Sequence, residues 1–215
     1  MTGSTFNRLA NRMISGLAVA ALRKQLTFDR SDTALLVVGA QRDLLDDAAA
    51  VSALARLISI ARAGGLKVIY AVAAPPTSAN GIHMPTPSQR ALLAERLLSE
   101  GSAGAEFHPA LAPGSGDVVL EPSAGLSAFS KRDLDLRLSM LGVERIVVAG
   151  ARTDIEIDST ARDGVERGFQ TTVVSDGCAG TTPQNHRATI STTLPRIVHG
   201  ILTVDEVAAR LTPTG

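Results

Sequence analysis

Short apolar runs that suit buried strands alternate with helical patterns along most of this chain, and this alternation limits the possible folds more than any other feature. The run from Ala34 to Val38 is continuously apolar, as expected of a strand covered on both faces. A helical pattern from Asp46 to Ala63 follows it, and the glycine pair Gly64-Gly65 ends that helix. The alternation predicts a Rossmann-like, doubly wound α/β domain with a mainly parallel sheet and helices on both faces.

The remaining elements continue this alternation to the end of the chain. Further strands are predicted at residues 67–73, 117–120, 144–149, 170–175 and 201–203, and further helices at 88–100, 130–141, 155–167, 183–199 and 204–211. In sheets of this kind ligands bind beyond the carboxyl ends of the strands. We therefore expect the functional residues in the loops that follow the strands.

The chain of 215 residues is divided into a helical extension at residues 1–30 and an α/β domain at residues 31–215. Residues 4–26 form an amphipathic pattern, and this helix could pack on its own domain or on a partner subunit. A signal peptide is the less favoured interpretation, because Arg23 and Lys24 stand where a cleavage site would require small residues. A single cysteine excludes an intramolecular disulfide, and we expect a cytoplasmic protein.

Charge and composition argue against several classes of partner. The chain has 21 basic and 21 acidic residues, so its formal net charge is zero, and only 3% of its residues are aromatic. Neither a nucleic acid nor a membrane surface is expected as a partner. The sequence has no nucleophile elbow, no phosphate-binding loop and no Cys-x-x-Cys pair. We expect a small-molecule substrate and no cofactor.

The most specific motif follows the predicted strand at residues 144–149. That strand leads to Gly150, and the helix after it contains Thr160-Ala161-Arg162-Asp163 and ends in Arg167-Gly168-Phe169. Other pieces follow the same order along the chain: Gln41-Arg42-Asp43, Leu126-Ser127-Ala128-Phe129, Leu141-Gly142-Val143 and Val173 to Gly180. Together they resemble the isochorismatase-like cysteine hydrolase family over about residues 32–208. The resemblance implies the isochorismatase-like fold and a homo-oligomer, either a dimer or a tetramer.

The resemblance also implies where a catalytic triad of Asp, Lys and Cys would stand. In the family the Asp acts as base toward the thiol, the Lys supports the ion pair, and backbone amides beside the Cys stabilise the oxyanion. The Asp position is Gly39 here, and the Cys position is Glu156. The Lys position is Ser123, or Glu121 if this loop carries a two-residue insertion. None of the three family side chains is present.

Two functions remain open at this point. The first is an enzyme that acts on a small polar metabolite by acid–base chemistry (hydrolysis, elimination, isomerisation or cyclisation) with Glu156 as the catalytic group. The second is an inactive relative that serves as a binding or assembly partner. Arg152 is a candidate for binding a substrate carboxylate, and Cys178 is interpreted as a small buried hydrophobe rather than a displaced nucleophile.

The remaining candidates line or support the predicted pocket. Besides Arg152, the residues predicted to line the pocket or bind substrate are Gly39, Gln41, Glu121, Ser123, Phe129, Thr153 and His83. His83 lies in a loop where some relatives carry metal ligands, but the accompanying Asp-x-His arrangement is missing. No metal site is predicted.

Overall fold

A six-stranded parallel sheet forms the centre of the computed structural model, which describes residues 26–130 and 133–211. The strands are β1 (Thr33–Val38), β2 (Lys67–Ala71), β3 (Val118–Val119), β4 (Arg145–Ala151), β5 (Gln170–Ala179) and β6 (Gly200–Leu202). Their order is β3-β2-β1-β4-β5-β6, and every neighbouring pair is parallel. This confirms the predicted fold class. Because the order reverses between β1 and β4, the crevice at their carboxyl ends is the topological switch point.

Six α-helices connect and cover the strands in the described part of the chain. They are α1 (Ala48–Ala63), α2 (Pro87–Ala94), α3 (Leu134–Met140), α4 (Asp158–Glu166), α5 (Pro183–Ala188) and α6 (Val204–Ala208). None of these helices is long and apolar enough to cross a bilayer. The amphipathic helix predicted at residues 4–26 falls almost entirely outside the described residues, which begin at Leu26.

Burial follows from the sequence pattern of the central elements. All six residues of β1 are buried, as its unbroken apolar run predicts for a strand covered on both faces. The first helix, α1, is capped by Asp47, whose side chain accepts a hydrogen bond from the backbone N–H of Ala50. One face of α1, which includes Leu54 and Leu57, packs into the core. These elements fix the carboxyl end of β1 at the switch point.

Three predicted elements differ from the observed ones. The helix predicted at residues 88–100 ends at Ala94, because Arg96 and Leu98 have positive φ angles that an α-helix does not allow. The helix predicted at 183–199 ends as an α-helix at Ala188 and continues as π-helical and 3₁₀ turns around Pro195, which has no N–H to donate. The fifth strand continues to Ala179, because it pairs again with β4 beyond an irregularity between Val148 and Gly150.

The strands β1 and β4 approach each other very closely at their carboxyl ends. Gly150 has a φ of +128°, and a Cβ atom added there would lie 2.0 Å from the carbonyl oxygen of Val38. No side chain fits at this distance, so the glycine of the motif is required for packing. The close approach brings the loop after β4 directly beside the end of β1.

Candidate active site

The turn that follows β4 carries Glu156, the residue that the resemblance places at the family's cysteine position. The peptide bond between Ala151 and Arg152 is cis. Residues Thr153–Ile157 form a single π-helical turn, which continues directly into α4. This turn places Glu156 at the switch point, where it is buried. Glu156 lines a small cavity at the carboxyl ends of β1 and β4.

Glu156 is held by Arg152 through three hydrogen bonds. The backbone N–H and Nε of Arg152 donate to Oε2 of Glu156 over 3.1 and 3.0 Å. The Nη2 atom of Arg152 also donates to Oε1. Both side chains are almost completely buried, so the charges compensate each other in a region of low dielectric. The bidentate contact predicted between Arg152 and a substrate carboxylate is made here with a carboxylate of the chain itself.

Little free space remains beside Glu156. The cavity at the switch point has a volume of about 10 Å³, roughly the minimum that one water molecule requires. Small-molecule sites are usually about 300–1,000 Å³. The cavity is lined by Val38, Gly39, Ala71, Ala73, Ser123, Gly125, Ser127, Ala128 and Glu156. The cavity beside Glu156 is therefore much smaller than a usual small-molecule site.

Gly39, at the family's Asp position, lies at the end of β1 and lines this cavity. Its φ is +60°, and a Cβ atom there would lie 2.9 Å from the carbonyl oxygen of Ala151 and 3.2 Å from Cδ1 of Leu44. Contacts under 3.0 Å require a neighbour to move, and here that neighbour is backbone. The local backbone consequently disfavours any side chain at this position.

The two residues predicted as alternatives for the family's Lys position differ in burial. Ser123 is buried and lines the cavity, where its Oγ donates to the carbonyl oxygen of Ser130 over 3.1 Å and accepts from the N–H of Gly125. Glu121 is exposed and is not among the lining residues. Ser123, which lines the cavity together with Glu156, therefore uses its hydroxyl group for hydrogen bonds within its own loop.

Gln41 and Phe129 support the loops around the cavity rather than lining it. The side-chain amide of Gln41 bonds both the N–H and the carbonyl oxygen of Ala73, and also the carbonyl oxygen of Ala105. Phe129 is buried and stacks on Phe169 with ring centroids 6.0 Å apart. Both residues are buried, and their contacts stabilise the loops around the cavity.

Thr153 bonds a histidine that the sequence did not single out. Its Oγ1 lies 2.8 Å from Nδ1 of His186, and Thr153 itself is fully buried. Burial lowers the pKa of His186 below its usual value, while the carboxylates of Asp47 and Asp154 act against this shift. The pair joins the turn after β4 to α5. By contrast, His83 is exposed and does not reach the cavity.

Cys178 lies in an environment that does not favour a nucleophilic thiolate. It is buried in β5, opposite Gly150. Desolvation raises the pKa of its thiol to about 12, so the thiolate is disfavoured at neutral pH. Within residues 26–130 and 133–211, no group of three His, Cys, Asp or Glu side chains is placed to hold a metal ion.

Thr160, in the Thr-Ala-Arg-Asp motif of α4, makes a hydrogen bond that supports the site. The Oγ1 atom of Thr160 accepts a hydrogen bond from the backbone N–H of Ala128, which lines the cavity. The position of Thr160 within this motif was the sequence signal that could have identified it. Its hydrogen-bond partner, Ala128, lies 32 residues earlier in the chain. The motif therefore holds the loop before α3 against the turn that carries Glu156.

The whole chain from β1 to the start of α6 matches one known domain family. The Isochorismatase domain matches residues 33–204. The chain belongs to the isochorismatase family. Among curated relatives, the ureidoacrylate amidohydrolase RutB of Pantoea ananatis is 30% identical over 172 residues, which cover 68% of each chain. The same enzyme of Methylorubrum extorquens is 28% identical over 186 residues, covering 74% of this chain and 75% of the relative.

Solved structures of isochorismatase-family members and related enzymes share the fold. A cysteine hydrolase from Pseudomonas syringae pv. phaseolicola superposes with a TM-score of 0.73 at 25% identity, covering 87% of this chain and 95% of the other. An N-carbamoylsarcosine amidase from Thermoplasma acidophilum gives a TM-score of 0.65 at 25% identity, with coverages of 81% and 97%. The fold and the family are thus those of hydrolases that act on small molecules.

Proposed function

We propose that this chain is a non-catalytic member of the isochorismatase family that acts as a binding or assembly partner. The observation that carries the proposal is that Glu156, paired with Arg152, lines a cavity of only about 10 Å³ at the switch point. A substrate the size of ureidoacrylate does not fit in a space that holds one water molecule.

The chemistry available at the site supports the same proposal. A general acid or base must reach the reacting atom within hydrogen-bond distance, but both carboxylate oxygens of Glu156 are engaged by Arg152. An oxyanion requires backbone donors beside the nucleophile position. The N–H of Arg152, which lies there, already donates to Glu156. The hydrogen bonds between Arg152 and Glu156 therefore engage both the acid–base group and a backbone donor of the oxyanion site.

A second candidate is acid–base catalysis by Glu156 on a small polar metabolite. It is favoured by the position of Glu156, which lines the residual cavity at the switch point beside Gly39 and Ser123. This function requires the ion pair to open when substrate binds. The carboxylate would then face the space between β1 and β4.

The two candidates differ in a direct assay of the full chain. The chain is incubated with ureidoacrylate and with N-carbamoylsarcosine, and substrate loss and ammonia release are followed, with the Pantoea ananatis RutB as positive control on ureidoacrylate. We expect no turnover above that of buffer. Turnover that falls at least about tenfold in Glu156→Gln, but not in the exposed control Glu166→Gln, would overturn the non-catalytic proposal in favour of the second candidate.

A further inference from the structure

The described part of the chain begins beside β6, one of the two edge strands of the sheet. Leu26 is buried there, and its Cδ1 lies only 2.3 Å from the position that a Cβ atom on Gly200 would occupy. The backbone N–H of Phe28 then donates to the carbonyl oxygen of Arg210 over 3.0 Å. These contacts tether residues 1–25 to this edge of the sheet.

A groove with an apolar floor lies at the same edge. It has a volume of about 290 Å³, and Ile190, Val198 and Ile201 line it. Each of the three packs against the core but remains partly exposed. Gly200, on which Leu26 packs, is also a lining residue, so the groove adjoins the point where the described chain begins. We call the surface formed by Ile190, Val198, Gly200 and Ile201 the β6 groove.

The residues before Leu26 have an apolar face in their sequence pattern. Leu9, Met13, Ile14 and Leu17 recur at helical spacing, and polar residues occupy positions between them. An isolated helix of about this length is marginal in water, so most of its stability must come from packing of that face. Leu17 stands nine residues before Leu26, which is about 14 Å along a helix. The β6 groove is therefore within reach of this face without a long linker.

Charge favours contact between this segment and the domain that follows it. Residues 1–25 contain four basic and no acidic residues, whereas residues 26–215 contain 17 basic and 21 acidic ones. Two of the four, Arg23 and Lys24, come just before the described chain begins, and Glu206 lines the adjoining groove. Opposite charges near the point of attachment favour docking on the same chain.

We propose that residues 4–25 form a helix that lies along the β6 groove of the same chain and covers it with its apolar face. A tethered segment has an effective concentration of the order of mM relative to its own domain, so even weak contacts hold it there. A groove on a partner subunit is not tethered in this way, which makes the segment's own domain the favoured surface. The proposal uses no residue of the Glu156 site, so it goes beyond the proposed function and can hold or fail independently of it.

Hydrogen exchange of the full chain, measured by mass spectrometry, tests the segment. In wild type we expect slow amide exchange at residues 6–21, at a rate that is the same across about 1–100 μM protein, the range in which moderate dimers dissociate. Leu17→Asp puts a charge on the apolar face and should speed this exchange at least about tenfold, because the burial of one leucine is worth at least that factor. It should also speed exchange at residues 197–202, which the helix no longer covers. Ser15→Asp, on the polar face, is the matched control and should exchange like wild type.

Variants of the domain test the groove from its own side. Ile190→Asp puts a charge in the β6 groove and should give residues 6–21 the same faster exchange. Leu136→Asp is its control, since Leu136 is 59% exposed and lies beside β3 at the opposite edge of the sheet. Slow exchange of β1, which is buried throughout, shows that a variant is folded. If Ile190→Asp does not fold, the comparison of Leu17→Asp with Ser15→Asp decides.

Four results would overturn the proposal. Rapid exchange of residues 6–21 in wild type would mean that the segment does not dock. Protection that increases with protein concentration would place the segment on a partner subunit. Protection that appears only with vesicles of phosphatidylserine and phosphatidylcholine would place it on a membrane surface. Equal exchange in wild type, Ile190→Asp and Leu136→Asp, with β1 protected in all three, would place the helix elsewhere on the domain.

Discussion

Arg152 donates three hydrogen bonds to the carboxylate of Glu156, four residues further along the chain, and the pair lies almost completely buried at the switch point of the sheet. Breaking a buried pair by removing one partner leaves the other charge desolvated and without compensation. Replacing both partners by apolar groups of similar volume removes that cost. The contribution of the pair to stability can therefore be separated from the burial of its side chains.

The ion pair gives the first prediction. Glu156→Leu leaves the guanidinium of Arg152 buried and uncompensated, so the free energy of unfolding should fall by about 3–5 kcal/mol. The double variant Arg152→Met/Glu156→Leu should recover most of this loss, because no buried charge remains. Urea unfolding followed by circular dichroism measures both values. A single variant that loses less than about 1 kcal/mol, within the range of an exposed pair, would show that Arg152 finds water or another partner.

The glycine at the family's Asp position gives the second prediction. Gly39 and Gly101 have similar φ angles, +60° and +73°, but only Gly39 has atoms close to the position of a Cβ. Gly101→Ala should therefore cost only the left-handed backbone penalty of about 1–2 kcal/mol. Gly39→Ala should cost at least about 1 kcal/mol more, since its Cβ meets the carbonyl oxygen of Ala151. If urea unfolding gives the same loss of unfolding free energy for both variants, the loop after β1 moves freely enough to accept the added Cβ atom.

The pair of Thr153 and His186 gives the third prediction, which concerns pH. Burial lowers the pKa of His186 in the folded state, so the neutral ring is favoured there. The stability that the neutral ring of His186 contributes is complete above the unfolded-state pKa of about 6.5. This contribution is lost as the pH falls through the lower folded-state pKa. His186→Gln should therefore reduce the fall in unfolding free energy between about pH 7 and pH 5.

The exposed residue His83 supplies the control for this measurement. His83→Gln removes a histidine that the fold leaves in water, and we expect it to keep the pH dependence of wild type. The stability of each protein is determined by urea unfolding at several pH values within that interval. If His186→Gln shows the same pH dependence as wild type, protonation of His186 does not disturb the fold.

The sequence was sufficient to predict the fold class. The alternation of strands and helices predicts the parallel sheet, and the neighbouring positions of β1 and β4 bring Gly39 and Glu156 to one cavity. The order of the motifs is the basis of the prediction that Gly39 and Glu156 stand at the family's Asp and Cys positions. Whether Ser123 or Glu121 lines the cavity depends on loop geometry, which the spacing of residues along a chain does not determine.

The closure of the site could not be predicted from the sequence. Arg152 precedes the π-helical turn, so the i,i+4 rule for α-helices does not show that it turns back to Glu156. The size of the cavity depends on how four separate segments of the chain pack together. The contact of Thr153 with His186 spans 33 residues and two loops, and only the adjacency of β4 and β5 in the sheet brings the two together.

The contact of Gly150 with the backbone of Val38 has a consequence for how this fold can vary. Because no side chain fits between the two central strands, their spacing cannot respond to substitutions in the loops above them. Proteins that share this sheet can then differ in the side chains of those loops without a change in the spacing of the two central strands.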